Sequence, residues 1–340
     1  MAKYLKVALI GVLVVAGVLA VFLVWRKSHS TPVGQSASSK PIRIGTNRAL
    51  GTVIPYVARD RGLFQQGNLQ VQIVDFNDVT TLMEAFASGQ IDVALLGIAP
   101  SAIWQEKGVG LKVVAAANGG GHVLLTRGDT GINDLSGLKG KKVATPKPGT
   151  VTDTLFRAHI VQDLAKLDPD KDIKVVAGLS AADLPTVLFV SREVDAAITW
   201  EPFASQAEAK FKNVKVLFDA SEEWRKSNPQ SKQLYPVNVV IARQSFIDTR
   251  SDELRRFLDA HVRAIQFINE HPDEANDIIA RETGLDKAIV VHARKRIDYT
   301  AQVDVDASRQ TLQWSKQLRY LKEVPSAEKL FDLKYLPHAQ

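Results

Sequence analysis

Two spacings of hydrophobic residues alternate along the chain after Pro41. Short continuous apolar runs are typical of buried strands, and apolar residues that recur every three or four positions are typical of amphipathic helices. The predicted strands are 42–44, 69–74, 91–95, 112–116, 122–126, 141–144, 173–176 and 194–199, and the predicted helices are 54–61, 78–88, 99–106, 150–164, 181–190 and 202–210. Because strands and helices alternate, we predict an α/β fold of βαβ units with mostly parallel sheets flanked by helices.

The last part of the folded chain, 251–321, is predicted to be mainly helical. Breaks are expected at His271–Pro272 and at Thr283–Gly284, because proline and glycine interrupt a helical pattern. The charged stretch 314–334 predicts a solvated helix face.

An internal repeat relates two of these βαβ segments. Residues 87–96 align with 190–199, and each copy contains a helix end, a turn that carries an aspartate (Asp92 or Asp195) and a buried strand. The repeat predicts two similar lobes that face each other.

The N-terminal segment 1–27 is predicted to be a signal anchor or a signal peptide. The uncharged run 7–24 has basic residues on both sides and would span about 27 Å as a helix, close to the thickness of a hydrocarbon core. A cleavable signal usually has a shorter apolar region and a small-residue cleavage site, so the pattern favours an uncleaved hydrophobic helix that tethers the protein to the inner membrane. The Ser-rich segment 28–40 predicts a flexible linker.

Charge and composition argue against several classes of protein. The chain has 43 basic and 37 acidic residues, a net charge of +6, but residues 1–40 hold five basic residues and no acidic residue. The rest of the chain is therefore close to neutral, and nucleic acid is not expected as a partner because a nucleic-acid binder carries positive charge on its folded body.

Residue types and motifs give no sign of catalysis or of a metal site. The chain has no cysteine, its seven histidines include no pair four residues apart, and it contains neither a phosphate-binding P-loop nor a G-x-S-x-G motif. We therefore predict no catalytic residue, no metal and no cofactor.

Several segments, in order, resemble the solute-binding proteins of ABC importers for aliphatic sulfonates, taurine and nitrate. The segments are 44–46, 54–58, 62–64, 85–92, Gly97, 138–144, 148–153 and 194–202. The resemblance implies the two-lobed periplasmic-binding-protein fold of type II, in which two α/β lobes close on a ligand. It also implies a discontinuous lobe I of 41–127 plus 236–340 and a lobe II of 128–235, with crossings near Arg127 and Pro236.

The resemblance further implies how such a protein works. We expect a periplasmic monomer that captures a small oxyanion, such as an aliphatic sulfonate, taurine or nitrate, and presents it to an ABC permease and its ATPase. An alternative is a membrane-anchored sensory or accessory solute-binding domain. An enzyme like the thiamine-pyrimidine synthases is disfavoured, because their cysteine-rich motif has no counterpart in this chain.

Candidate ligand residues follow the carboxyl ends of the predicted strands, where ligands of open α/β sheets bind. They are Asn47, Arg48, Gly97, Asn118, Gly119, Gly149, Thr150, Thr152, Trp200 and Glu201. Among these, Thr150-x-x-Asp153 fits a capping box at a helix start, where unpaired N–H groups and the helix dipole hold anions. The segment could equally be a capped helix start without a ligand.

Other candidates have equally plain alternatives. The glycines 119–121 allow close approach of the backbone to a ligand, but they also suit a turn. Trp200 could lie against a ligand or pack within its lobe, and Arg48 could pair with an oxyanion or be exposed. Glu201 would repel an anion unless the ligand carries an amine, the carboxylate points away, or it meets Arg48.

Overall fold

The computed structural model describes residues 40–47 and 49–337. The predicted signal or anchor segment 1–27, most of the predicted linker 28–40, and Arg48 lie outside the described residues. Within the described part, no helix combines the length and the hydrophobicity needed to cross a membrane.

The described residues form an α/β structure with two sheets. The strands, in chain order, are β1 (Ile42–Thr46), β2 (Val71–Asp75), β3 (Val93–Gly97), β4 (Leu111–Gly120), β5 (His122–Arg127), β6 (Lys142–Ala144), β7 (Lys174–Val176), β8 (Ala196–Trp200), β9 (Val214–Asp219), β10 (Pro236–Arg243) and β11 (Ile297–Tyr299). The first sheet has the order β11-β4-β10-β3-β1-β2, and the second has the order β7-β6-β8-β5-β9.

Helices connect and flank these strands. In chain order they are α1 (Ile54–Asp60), α2 (Leu63–Gln66), α3 (Val79–Ala87), α4 (Ile98–Glu106), α5 (Val151–Thr154), α6 (Leu184–Phe189), α7 (Phe203–Lys210), α8 (Ala220–Ser227), α9 (Gln244–Thr249), α10 (Ser251–Glu270), α11 (Pro272–Thr283), α12 (Lys287–Ala293), α13 (Val305–Gln317) and α14 (Ala327–Leu330). Helix α5 continues as a π-helix over Leu155–Leu164, and short 3₁₀ helices cover Leu50–Thr52, Leu135–Leu138, Arg294–Arg296 and Leu333–Tyr335. The predicted breaks near His271 and Gly284 separate α10, α11 and α12.

Both sheets are mixed, which corrects the prediction of mostly parallel sheets. Strand β1 is parallel to β2 and β3, and β6 is parallel to β7 and β8. Strand β10 is antiparallel to β3 and β4, β11 is antiparallel to β4, and β5 is antiparallel to β8 and β9. The reason is topological. The chain enters the second sheet with β5 and returns to the first with β10, and each of these strands lies between two neighbours that run in the opposite direction.

The chain passes from the first sheet to the second through a single residue, Gly121, which lies between β4 and β5. Gly120 and Gly121 have φ angles of +77° and +93°, in the left-handed region that favours glycine. Strand β5 therefore lies in the second sheet, whereas the boundary predicted near Arg127 placed it in the first lobe. The chain returns to the first sheet with β10, which starts at Pro236.

The hydrophobic core runs through both sheets without a break. One cluster of buried side chains combines Leu96 and Val239 of the first sheet with Leu124 and Ile198 of the second. A second cluster packs α1 and α10 onto the first sheet, and a third lies on the second sheet alone. The two sheets thus meet over a shared apolar base.

The C-terminal stretch 314–334 is not a solvated helix face as predicted. Trp314 is buried and its indole N–H donates to Asp163 at 3.1 Å, which joins α13 to the π-helix after α5. Leu330 and Phe331 are also buried, and Phe331 forms an isolated bridge with Val113 of β4. The charged residues of the stretch conceal apolar positions that pack on both halves of the molecule.

Candidate functional site

A cavity of about 120 Å³ is lined by residues of both sheets, at the ends of several strands. The predicted ligand residues among its lining are Asn47, Gly97, Asn118, Thr150, Thr152, Trp200 and Glu201. The further lining residues are Ala49, Gly51, Thr52, Val79, Pro100, Gly120, Gly121, His122, Val151, Val237, Asn238 and Ile297. The structure therefore brings together side chains from distant parts of the chain that the sequence had placed at strand ends.

The other predicted residues lie elsewhere. A Cβ atom added to Gly119 would come within 2.7 Å of the Tyr235 carbonyl oxygen, so this glycine permits close packing of the backbone rather than lining the cavity. Gly149 has a φ of +83° and sits just before Thr150, outside the lining. Arg48 falls outside the described residues.

Several neutral polar side chains line the cavity on the side of the first sheet. The Thr52 hydroxyl donates to Asn47 Oδ1 at 2.7 Å, and the Asn238 amide donates to Asn118 Oδ1 at 2.7 Å. A Cβ atom on Gly51 would lie 2.4 Å from Asn118 Oδ1, so glycine is needed there for the chain to pass the asparagine pair. These bonds hold the amide groups in fixed orientations.

Helix α5 starts at the opposite side of the cavity. Thr150 caps it, since its hydroxyl accepts from the Asp153 N–H at 3.3 Å, but the reciprocal half of the predicted capping box is absent. The Asp153 carboxylate instead accepts from Arg157 Nε at 2.9 Å and from the Tyr320 hydroxyl at 2.6 Å. The first N–H groups of a helix have no partner within it, and here they belong to lining residues, Val151 and Thr152.

Helix α4 presents a second helix start to the cavity. Its N-cap is Gly97, whose lack of a side chain leaves the helix without a side-chain cap. A Cβ atom on Gly97 would lie 2.9 Å from Cγ2 of Val151, so the two helix starts approach each other closely. Two positive ends of helix dipoles therefore face one small space.

Glu201 does not act as a free carboxylate in the cavity. Its side chain is fully buried, with Oε1 2.7 Å from Arg296 Nη1 and Oε2 accepting from the Ser205 N–H at 3.1 Å. Arg296 also binds Glu208 at 2.7 Å and Asp219 at 2.6 Å. Burial lowers the pKa of Arg296, but its bonds to these carboxylates outweigh burial and keep the pKa above its usual range. Arg48 was one of the alternatives predicted for Glu201, whereas the partner in the structure, Arg296, which precedes β11, was not predicted.

His122, the first residue of β5, was missed as a lining residue. Its Nδ1 lies 2.8 Å from the Tyr235 hydroxyl, which also accepts from the His122 backbone N–H at 3.2 Å. Burial lowers the pKa of His122 to about 3, so the imidazole is neutral at physiological pH. Its position directly after three glycines was the available signal, but the residue was interpreted only as part of a strand.

Trp200 and several aliphatic residues form an apolar wall. The Trp200 ring is half-buried and meets Phe203 edge to face, with ring centroids 5.8 Å apart. Val79, Pro100 and Val237 line the same cavity. The site thus combines an apolar wall with neutral hydrogen-bonding groups.

The arrangement suits binding of a small polar ligand. Within 40–47 and 49–337, the lining contains no lysine or arginine, and its acidic residue is paired with Arg296. The same residues contain no group of three or more histidines or carboxylates that could hold a metal ion. Backbone amides, hydroxyls, carboxamides and one imidazole are the groups available to a ligand.

Comparisons with known proteins agree with this architecture. A family model described as NMT1/THI5 like matches residues 52–275. A relative from Bacillus subtilis strain 168, named for aliphatic sulfonate binding, is 26% identical over 287 residues, which cover 83% of this chain and 81% of the relative.

Solved structures show the same fold. The periplasmic aliphatic sulphonate binding protein of Escherichia coli has a TM-score of 0.72 at 20% identity, with 89% of this chain and 96% of that chain covered. The periplasmic nitrate-binding protein of Synechocystis PCC 6803 has a TM-score of 0.72 at 14% identity, with 86% and 84% covered. The predicted type II periplasmic-binding-protein fold is confirmed. These three proteins are named as binding proteins and none as an enzyme, in agreement with the prediction.

Proposed function

The chain belongs to the NMT1/THI5-like family, and from this premise we propose that it is the extracytoplasmic solute-binding component of an ABC importer. Its ligand is a small oxyanion, such as an aliphatic sulfonate, taurine or nitrate. The observation that carries the proposal is the cavity to which both sheets contribute neutral hydrogen-bonding groups. The names of the sulfonate-binding and nitrate-binding relatives point to the same class of ligand.

Two helix starts supply the attraction for an anion. Unpaired N–H groups at the beginning of α5, together with the hydroxyl of Thr152, donate to the oxygens of the ligand, and the dipole of α4 adds to the attraction. The Thr150 hydroxyl serves as the helix cap instead, since its proton goes to the Lys147 carbonyl oxygen at 2.9 Å. Glu201 does not present a free carboxylate to the anion, because its side chain is fully buried with Oε1 bonded to Arg296 at 2.7 Å and Oε2 accepting from the Ser205 N–H. The ligand is thus held by dipoles rather than by a formal counter-charge.

The apolar wall selects the rest of the ligand. Trp200, Val79, Pro100 and Val237 offer contact to a short hydrocarbon group, which an alkanesulfonate has and nitrate lacks. A volume of about 120 Å³ limits that group to a small one. Among the oxyanions considered, a short-chain sulfonate fits this combination best.

Binding is coupled to transport through closure of two lobes. A ligand that contacts both sheets favours the arrangement in which they lie together, by its differential affinity for that state. A permease and its ATPase then act on the closed, monomeric protein. The tether through residues 1–27 stays a sequence prediction, as does the alternative of an anchored sensory domain that depends on it.

The test is calorimetric titration of the full-length chain with methanesulfonate, taurine, nitrate and sulfate. A ligand at 100 times its Kd should also stabilise the fold by about 2.7 kcal/mol in thermal unfolding. Replacing Thr152 by Val removes one donor and should weaken binding about tenfold. Thr154→Val is the matched control, because that buried hydroxyl lies outside the lining and has no hydrogen-bond partner among the residues that the structure describes. No binding by any oxyanion, or equal effects of the two variants, would contradict the proposal.

A further inference from the structure

His122 carries a hydrogen-bonding group into the cavity that the function described above does not use. We propose that His122 is a specificity-determining residue, a neutral imidazole with its proton on Nε2 that donates to an oxygen of the ligand, and that Tyr235 is the positioning residue that sets this tautomer. The inference rests on the proposed function, since it assigns one contact of the same ligand.

The bonds of Tyr235 determine where the imidazole proton lies. The backbone N–H of His122 can only donate, so the phenol oxygen accepts it at 3.2 Å. The phenol proton then needs an acceptor, and Nδ1 of His122 lies 2.8 Å away.

Ser221 also lies close to Tyr235, and its oxygen accepts from the Gly121 N–H at 2.9 Å while its proton goes to the Arg296 carbonyl at 2.7 Å. Among the described residues, however, the Tyr235 hydroxyl has its hydrogen-bonding contacts with His122, through the backbone N–H and Nδ1, and none within bonding geometry of the Ser221 oxygen. Nδ1 of His122 is therefore the acceptor of the phenol proton, and a neutral imidazole that accepts at Nδ1 carries its proton on Nε2.

The donor formed in this way is open to the cavity. His122 is 2% exposed and lines the space. In the described part of the chain Nε2 has no acceptor, yet it is not among the fully enclosed side-chain atoms that lack a partner. The free edge of the ring therefore adjoins the ligand space.

A fixed N–H donor favours ligands that present an acceptor at that point. A sulfonate or nitrate oxygen accepts from Nε2–H. An ammonium group at the same point has only N–H donors, so it could not form a hydrogen bond with Nε2–H. A site built around a hydrogen bond rejects an analogue that cannot complete it, because the buried group is left unpaired. His122 thus contributes to the preference for the oxyanion end of a ligand.

Two substitutions distinguish the contribution of Nε2 from that of Nδ1. Gln at position 122 places an amide N–H near the position of Nε2, whereas Asn reaches only to the position of Nδ1. We expect His122→Gln to keep the affinity for the best-bound oxyanion within about threefold and His122→Asn to lower it about tenfold or more. Equal losses in the two variants, with both folded by circular dichroism, would overturn the proposal.

The tautomer can be observed without any ligand. A two-bond ¹H–¹⁵N spectrum of the full-length chain, labelled at histidine nitrogens, should show His122 as the neutral Nε2–H form. Tyr235→Phe removes the phenol proton, so a mixture of tautomers should appear together with weaker binding. A wild-type spectrum of the Nδ1–H form would overturn the assignment whatever the variants bind.

Failure of this inference differs from failure of the proposed function. If the wild-type chain binds none of the oxyanions, the proposed function fails, and the spectrum alone then supports or overturns the Nε2–H donor. If an oxyanion binds and His122→Asn binds it as tightly as the wild type, the function stands and the specificity role of His122 is wrong.

Discussion

Strands β3 and β8 occupy corresponding places in the two sheets, and each is preceded by an aspartate that makes the same two hydrogen bonds. In the first sheet, the Asp92 N–H donates to the Arg43 carbonyl at 2.9 Å, and its carboxylate accepts from the Arg43 N–H at 3.0 Å. In the second sheet, Asp195 makes the same two bonds to Lys142, at 2.8 and 2.9 Å. The internal repeat therefore encodes a pair of hydrogen bonds, one from the aspartate N–H and one to its carboxylate, that join the start of each strand to its parallel neighbour.

The surroundings of the two aspartates differ. The Asp92 side chain is 3% exposed and also binds the guanidinium groups of Arg43 at 2.7 Å and Arg243 at 2.8 Å. Burial raises the pKa of Asp92, but the bonds from Arg43 and Arg243 outweigh burial and keep the pKa below its ordinary value. Asp195 is half-buried and its carboxylate serves the backbone of Lys142. One sequence motif thus supports a charge network in one half and a simple backbone bond in the other.

The comparison extends to two buried histidines, one in each half. We expect the largest effect on stability when the pH is lowered, because protonation of these histidines opposes folding. Burial lowers the pKa of His261, which bonds the Ala116 carbonyl oxygen of the first sheet, to about 4, and that of His122 in the second sheet to about 3. The ordinary value is 6.5, so the unfolded chain takes up these protons first as the pH falls. Stability is complete above pH 6.5 and should fall below it by up to about 1.4 kcal/mol per pH unit for each histidine.

Urea unfolding between about pH 7 and pH 5 measures this slope. The His122→Gln variant should lose the part of the slope that His122 contributes, since the contribution of His261 from the first sheet stays. An equal slope in the variant and the wild type would show that the second sheet does not contribute.

Asp92→Asn should cost about 3 kcal/mol of stability, because it leaves two arginines beside a buried neutral amide. The loss should appear as a lower midpoint of urea unfolding with an unchanged slope. The size of the loss tests whether the ion pairs of Asp92 with Arg43 and Arg243, and not only its hydrogen bonds to the Arg43 backbone, stabilise the first sheet. A loss no larger than that of the corresponding variant in the second sheet would contradict it.

Asp195→Asn should have the smallest effect, about 0.5–1 kcal/mol, because the amide oxygen can still accept from the Lys142 N–H. The same unfolding measurement serves for this variant. A cost comparable to that of Asp92→Asn would mean that Asp195 takes part in interactions beyond the backbone bond.

Sequence patterns predicted the fold where an element carries its own signal. The strands up to β8 and the helices between them correspond to apolar runs and amphipathic stretches. Strands β9 and β10 were missed although each contains an apolar run, at 216–218 and at 239–242, so the sequence held a signal for both. The short strand β11 lies in a region that is otherwise mainly helical, and the antiparallel direction of β5 and β10 depends on how the chain joins the two sheets. Such features arise from tertiary structure.

The candidate site divides in the same way. Thr150 and Thr152 could be placed near the cavity because strand ends and a cap are local signals. The partner of Glu201 could not be predicted in this way, since Arg296 is distant in sequence and reaches Glu201 only when β11 pairs with β4. The role of His122 likewise depends on Tyr235, which comes from the segment that returns to the first sheet.

The passage through Gly121 also bears on how the length of this chain can vary. Strands β4 and β5 flank it directly, so one inserted residue would displace the register of both sheets and turn every following side chain of β5 to the opposite face. The return path between β9 and β10 instead contains α8 and an exposed stretch at 229–232, where additional residues can be accommodated at the surface. We expect insertions and deletions among relatives to occur in the return path and the length of the glycine passage to stay constant.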